Sequence, residues 1–387
     1  MNEKISAILN DFKIAKLNFE IKTENDTLLP DYKGSTFRGV FGHIFKDVMC
    51  ISYENECETC NFKSVCMFKK IFDSPPPSNS SRLKNYSSLP HPYIIEPPLE
   101  TKNFYKKNEI IKFSLILIGQ AISLFPYFAY SFGLAGRRGI GKMKQGKFSL
   151  FNIINDKNKE KLYDFKKEEL LPLRNYYTVK DFIEKTKDCC CTGNSGIAKD
   201  SGSNVLKQFV PYDTIGLKTD RTAISAENNN NQLYKCSNIS KKEIFSVNLD
   251  FITPTKIIFN EKIVQNLEFH VYIRNLLRRI SNLNFFHCVN SDNKKNEIND
   301  NPDNNIDFNY YIEKAYGVRA NNNLKWKSVD RYSNRQKRHM KISGFTGKIS
   351  FENVGQEFLW IIRVGEIIHL GKNTTFGNGK YEIDSII

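Results

Sequence analysis

The sequence predicts an α+β protein made of two tandem βαββαβ units, and three observations predict it. Strand-like and helix-like apolar periods follow one another in the same order in two separate stretches. A long segment of weak pattern divides those stretches, and each stretch ends in a glycine-rich turn followed by one last strand. The 387 residues suffice for about two domains, and a hydrophobic share of 40% with 29 Phe and 18 Tyr can fill two cores.

The first unit, residues 1–154, opens with a strand over Phe12 to Lys22, where Ile14, Leu17, Phe19 and Ile21 supply the apolar positions. A helix follows from Gly34 to Met49, because Phe37, Val40, Phe41, Ile44, Phe45 and Val48 recur at helical spacing. A cysteine-containing excursion over 50–66 and a Pro/Ser loop near Ser74 to Ser81 interrupt the pattern. Two strands, Tyr93 to Ile95 and Ile110 to Ile118, then a helix from Ala121 to Leu134 and a strand from Lys147 to Ile154 complete the ferredoxin-like order.

Residues 155–242 read largely as linker or insertion, with short helices possible around Leu170 to Phe182. The second unit, residues 243–387, starts with strand material at Ile244 to Phe259. An amphipathic helix spans Leu267 to Leu283, with Ile273, Leu276, Leu277, Ile280 and Leu283 on one face and Arg274, Arg278 and Arg279 along much of the other. A polar insertion at 291–309 precedes strand candidates near Lys341 to Phe351, a helix at Gly355 to Ile368 and a closing strand at Lys380 to Ile383.

Charge narrows the function. A net +15 attracts polyanions, so nucleic acid or an anionic membrane is the expected partner. Overall composition supports this modestly, since Lys, Asn and Ile are abundant throughout, and clustering has to decide. Phe113 to Gly136 holds no charged side chain and is long enough to span a bilayer. However, Gly119-Gln120 splits it and Pro126 interrupts its second half, so a strand followed by a buried helix is expected and no membrane span. The N-terminal residues carry no export pattern. A cytoplasmic location is therefore expected, where the nine cysteines would not form disulfides by default.

The clusters lie in the two closing turns. The first runs from Gly136 to Lys147 and carries Arg137, Arg138, Lys142, Lys144 and Lys147 with no acid; the second runs from Gly371 to Lys380 with Gly371, Lys372, Gly377, Gly379 and Lys380. Glycines let backbone N–H groups approach a phosphate while Lys and Arg supply charge. One such turn is ordinary at a strand end; two at equivalent places suggest a shared use. A third basic stretch, Lys325 to Lys348, contains Arg331, Arg335, Lys337, Arg338 and His339 with Trp326 and Tyr332 interleaved. It reads equally as a single-stranded RNA contact or as a solvated loop.

With these residues in view, the chain resembles the endoribonucleases that cut CRISPR repeat RNA, within the superfamily of repeat-associated RNA-binding proteins (RAMP). The resemblance is carried by the helix GSTFRGVFGH, the tract from Gly133 to Lys142, the strand end Phe251-Ile252-Thr253-Pro254-Thr255 and the closing GKNTTFGNGKY. It implies tandem ferredoxin-like folds, precursor CRISPR RNA as partner, and cleavage that needs no metal cofactor. In that reaction the ribose 2′-OH attacks the adjacent phosphorus and the 5′-oxygen leaves, giving a 2′,3′-cyclic phosphate. The site must take one proton, give another and stabilise charge. Among His43, His91, His270, His287, His339 and His369, the resemblance favours His43 on the first helix as the catalytic group, with Arg38 and Lys46 nearby to hold RNA. Tyr32 or Lys46 are substitutes for the proton work, and His339 is second choice, as an RNA contact. The alternative is a noncatalytic RNA-binding subunit of an effector complex that keeps fold and turns.

The cysteines raise a separate expectation. Cys50, Cys57, Cys60 and Cys66 run as C-x6-C-x2-C-x5-C. Four thiolates so close in sequence can close a structural zinc site. The spacing is not that of two CxxC knuckles; an iron–sulfur cluster or free thiols are the alternatives. Cys189 to Cys191 are expected to bind nothing.

Overall fold

A computed structural model of the chain describes residues 2–52, 57, 59–76, 82–83, 89–188, 244–288, 306–333 and 338–387. After a short helix α1 (Asn2–Ile8), the N-terminal unit runs β1 (Ile14–Thr23), β2 (Thr27–Leu28), α2 (Gly34–Met49), β3 (Tyr93–Glu96), β4 (Phe104–Tyr105), β5 (Ile110–Ile118), α3 (Phe125–Arg138) and β6 (Phe148–Asn155). Its sheet has the order β3-β5-β1-β6, all antiparallel, with β1 in the middle: Phe19 faces Phe113 on one side and Ile153 on the other. This is the ferredoxin-like arrangement expected from the sequence.

The helices follow their apolar spacing. Phe37, Phe41, Ile44 and Phe45 bury one face of α2, and Phe125, Phe128, Phe132 and Ala135 bury one face of α3. Pro126 sits at the start of α3, where its missing N–H costs nothing. The two faces meet over the sheet in an aromatic cluster: Phe41 stacks on Phe128 and Phe132 at 5.0 and 5.1 Å, and Phe132 reaches Phe19 at 5.3 Å. The uncharged segment 113–136 is thus the end of β5, a 3-10 turn at Gly119–Leu124 and most of α3. Among the described residues no helix is long and apolar enough to cross a membrane.

Part of the segment expected as linker is instead built into the fold. β7 (Lys161–Asp164) and β8 (Glu169–Leu170) extend the first sheet to six strands, and Tyr177 exchanges backbone hydrogen bonds with Ile14 at 2.7 and 2.9 Å. α4 (Val179–Asp188) then places Val179, Phe182 and Ile183 in the core of the second unit. Residues 189–242, including Cys189 to Cys191, lie outside the described residues, as does most of the polar insertion, whose last positions enter α6 below.

The C-terminal unit runs β9 (Ile244–Thr255), β10 (Ile258–Phe259), β11 (Lys262–Ile263), α5 (Phe269–His287), α6 (Phe308–Ala315), β12 (Arg319–Ser333), β13 (Arg338–Gly355), α7 (Leu359–Ile368) and β14 (Tyr381–Ile386). Its sheet order, β12-β13-β9-β14, reproduces the first unit with β9 in the place of β1. The described residues of the basic stretch 325–348 are therefore paired strands, in register from Arg319↔Glu352 to Ser333↔Arg338. β12 escaped the sequence reading because it is an edge strand. It needs only one paired neighbour, and its Asn- and Lys-rich surface blunts the free edge.

Ile273, Leu276, Leu277, Ile280 and Leu283 of α5 are all fully buried, as expected. Arg279 departs from expectation: it is half-buried, donates from Nε to the Ile368 carbonyl at 2.9 Å, and desolvation of its guanidinium brings its pKa down to about 10. The units share a seam. Ile14, Ile94, Ile116 and Ile118 of the first sheet join the core of the second unit.

Candidate functional site

The second glycine-rich turn sits on that seam. It leaves α7 through His369 at φ 61° and re-enters the sheet at β14. Two of its glycines are demanded by close contact. A Cβ on Gly379 would fall 1.8 Å from the Leu370 carbonyl, and one on Gly377 would fall 2.3 Å from Pro97 of the N-terminal unit, both at positive φ. The strand end 251–255 supports the turn from below: the Thr253 hydroxyl donates to the Gly377 carbonyl and accepts from the Lys380 N–H, each at 2.9 Å.

The start of α2 docks onto this turn. Tyr32 donates its hydroxyl to the Phe376 carbonyl at 2.7 Å, and Arg38 Nε donates to Thr375 Oγ1 at 3.0 Å. The Arg38 guanidinium lies between the rings of Phe72 and Phe376, 4.5 Å from each, and Arg331 of β12 sits 4.6 Å from the same Phe376 ring. Neither guanidinium enters an ion pair among the described residues, and Arg331 Nε is buried without a hydrogen-bond partner. Burial and the like charge of Arg38 both lower the Arg331 pKa. Two poorly compensated guanidiniums around one ring suit an anion with several acceptor oxygens, such as a phosphodiester.

Beneath the turn lies a buried charged cluster. His369 Nε2 is 2.8 Å from Glu96 Oε1 and Nδ1 is 3.0 Å from the Asn378 carbonyl, with His369 fully buried. Lys16 and Lys380 approach Glu96 Oε2 at 3.4 and 3.5 Å. Burial opposes every charge here, and it lowers the His369 pKa against the pull of the Glu96 carboxylate. The His369 hydrogen bond and the Lys16 and Lys380 charges overcome burial and hold the Glu96 carboxyl well below the usual carboxylate range. The cluster ties β3 of one unit to the turn of the other.

The first glycine-rich turn lies at the other end of α2. Arg137 and Arg138 are exposed at the end of α3, and Arg138 forms an ion pair with Asp47 of α2. His43 lies one helical turn before Asp47 and is exposed. Helix α2 therefore touches the second turn through Arg38 and the first through Asp47, about 14 Å apart along its axis, with His43 between them. Gly39, one turn before His43, has nothing within 4 Å of the place a Cβ would take.

The other described histidines are occupied. His91 faces Ser74 Oγ at 3.3 Å, and burial lowers its pKa to about 3. His270 stacks on Tyr316 at 4.3 Å, and His287 Nε2 meets the Pro90 carbonyl at 2.7 Å. Among the described histidine side chains, only His43 is exposed.

The remaining expected site residues divide. Lys144 and Lys372 are exposed on their turns, while Lys380 is directed at Glu96 and Glu382. Lys46 points elsewhere than the two turns, lining a small cavity with Lys63, Lys69 and all of Cys50, Cys57, Cys60 and Cys66. Arg335 and Lys337 lie outside the described residues, as do the side chains of Lys142, Arg338 and His339. The sequence reading missed Glu96, passed over His369 among the six histidines, and held Phe376 and Arg331 only as members of a turn and of a basic run. Partners such as Glu96 and His369 lie hundreds of residues apart, so no local pattern marks them.

A family model described as CRISPR-associated endoribonuclease Cas6 matches residues 249–381, and one described as an N-terminal domain matches residues 12–175. An uncharacterized protein of Archaeoglobus fulgidus is 21% identical over 137 residues, which is 35% of this chain and 44% of that protein. A partial Cas6-RT-Cas1–Cas2 complex aligns over 96% of this chain and 46% of that chain, at TM-score 0.49 and 10% identity. Thermus thermophilus Cas6 aligns over 96% and 98%, at TM-score 0.45 and 11% identity. The chain thus spans under half the length of the first two. The resemblance to CRISPR repeat-RNA endoribonucleases read from the motifs is matched by the family model over the C-terminal unit.

Proposed function

We propose that this chain is an endoribonuclease that cuts CRISPR repeat RNA in precursor transcripts to release guide RNAs. The observation that carries the reading is the placement of α2 between the two glycine-rich turns, with His43 exposed on it and Arg38 and Arg331 gathered at one end. The RNA backbone lies along this path. The Arg38–Arg331 pair takes a phosphate near Phe376, and Arg137 and Arg138 meet the strand beyond His43. His43 handles a proton as the 2′-OH attacks phosphorus and the 5′-oxygen leaves. The reaction ends in a 2′,3′-cyclic phosphate and a free 5′-hydroxyl, and no metal cofactor takes part. Turn backbone N–H groups and guanidiniums stabilise the phosphorane charge.

The second reading, a noncatalytic RNA-binding subunit of an effector complex, keeps the same binding path. Occupation of the other four described histidines would have favoured it had His43 also been buried; its exposure favours the enzyme.

Gly39 gives a test of the path. Gly39→Trp has room to fold and gains helix propensity of about half a kcal/mol, while its ring fills the lane between the Phe376 corner and His43. Its melting temperature is expected to hold or rise. Affinity for repeat RNA, read by filter binding, is expected to fall by about tenfold or more, a loss of roughly 1.4 kcal/mol. Unchanged affinity and cleavage would place the RNA elsewhere.

A further inference from the structure

Among its described residues, the cysteine excursion between α2 and Phe68 has no core of its own. Ile51, Phe62 and Val65 are 64%, 48% and 60% exposed, so its apolar side chains do not hold it together. Yet Cys50, Cys57, Cys60 and Cys66 all line one cavity, each half-buried and none in a disulfide. The cavity leaves about 20 Å³ for the centre of a water-sized sphere, room for a single ion or water and not for an organic ligand. Lys46, Lys63 and Lys69 line the same cavity, and among the described residues no carboxylate does. Four thiolates around a divalent ion carry net charge −2, which those ammoniums offset. Among the described residues no three Cys, His, Asp or Glu side chains already stand together closely enough to hold a metal. The thiols line a common space and must turn into it.

We propose that Cys50, Cys57, Cys60 and Cys66 bind one zinc ion as thiolates, and that this ion fixes the excursion. Each thiol gives up its proton on binding, so affinity rises with pH. The anchors explain what the ion holds. Cys50 caps the C-terminal end of α2, and Cys66 precedes Phe68 and the single π-turn Lys69–Asp73. Phe72 of that turn packs over Gly42 of α2 and stacks on Arg38. The ion therefore braces one wall of the Arg38 sandwich and takes no part in bond breaking.

The test is elemental analysis of the full chain, purified under reducing conditions without chelator. About one zinc per chain is expected, retained in His43→Ala and lost in the double variant Cys57→Ser, Cys60→Ser. Should that double variant not fold, stripped wild type titrated with Co²⁺ is expected to show the visible bands of tetrahedral thiolate cobalt, discharged by added zinc. Wild type free of metal that also fails to bind Co²⁺ overturns the proposal. So does iron in place of zinc with the absorption of an iron–sulfur cluster. Neither readout involves RNA cleavage, so the site stands or falls apart from the endoribonuclease reading.

Discussion

His43→Ala is expected to slow repeat cleavage by about 100- to 10,000-fold, the usual worth of a positioned proton-transfer group, while affinity for uncut repeat RNA stays unchanged. The side chain is exposed on α2, so its loss opens no cavity and leaves no buried partner stranded. The split between rate and binding separates a catalytic role from a phosphate contact: a lost contact weakens binding in the ground state too. Single-turnover cleavage with binding measured in parallel checks it. Equal losses in both would reassign His43 as an RNA contact.

Glu96→Gln is expected to destabilise the protein by about 3–5 kcal/mol, the cost of removing one partner from a buried ion pair. Glu96 is 4% exposed and is the shared acceptor for His369, Lys16 and Lys380. Its neutral replacement leaves the buried His369 and the two half-buried lysines around an amide. The effect reaches the site, because the same cluster seats the turn that carries Thr375 and Phe376. The pH dependence has a defined sign. The folded Glu96 carboxyl titrates below its ordinary value of 4.5, so its stabilisation is complete above that value and declines as pH falls below it. Urea unfolding of wild type and variant across the acid range is expected to show their difference shrinking as pH drops. A pH-independent difference would show that Glu96 contributes through packing alone.

The sequence carried the α+β class, the βαββαβ order of the first unit, that of the second except for β12, and both closing turns, because each rests on local periodicity and glycine placement. What it did not carry depends on partners distant in the chain. β12 lacks a strand-like composition and is held by its pairing with β13. Arg279 looked like an outward charge because its helical position is polar, whereas its acceptor is the end of α7. Likewise β7, β8 and α4 sit in a weakly patterned stretch that folds by joining a sheet and a core already present. At the candidate site, the candidates His43 and Arg38 were legible in the motif GSTFRGVFGH. The pairing of Arg38 with Arg331 across Phe376 was not, since those residues meet only when the two units close on each other.

The central claim is metal-independent cleavage by the 2′-OH, and one substrate pair addresses it directly. Wild-type protein in EDTA would be given a synthetic repeat RNA and the same RNA with a single 2′-deoxy nucleotide at the cut. The account predicts that the first is cut to a 2′,3′-cyclic phosphate and a 5′-hydroxyl, and that the second is bound equally well but left intact. Tight binding of both with no cleavage of either would contradict it and make the chain an RNA-holding subunit. Cleavage of the deoxy substrate would contradict the mechanism.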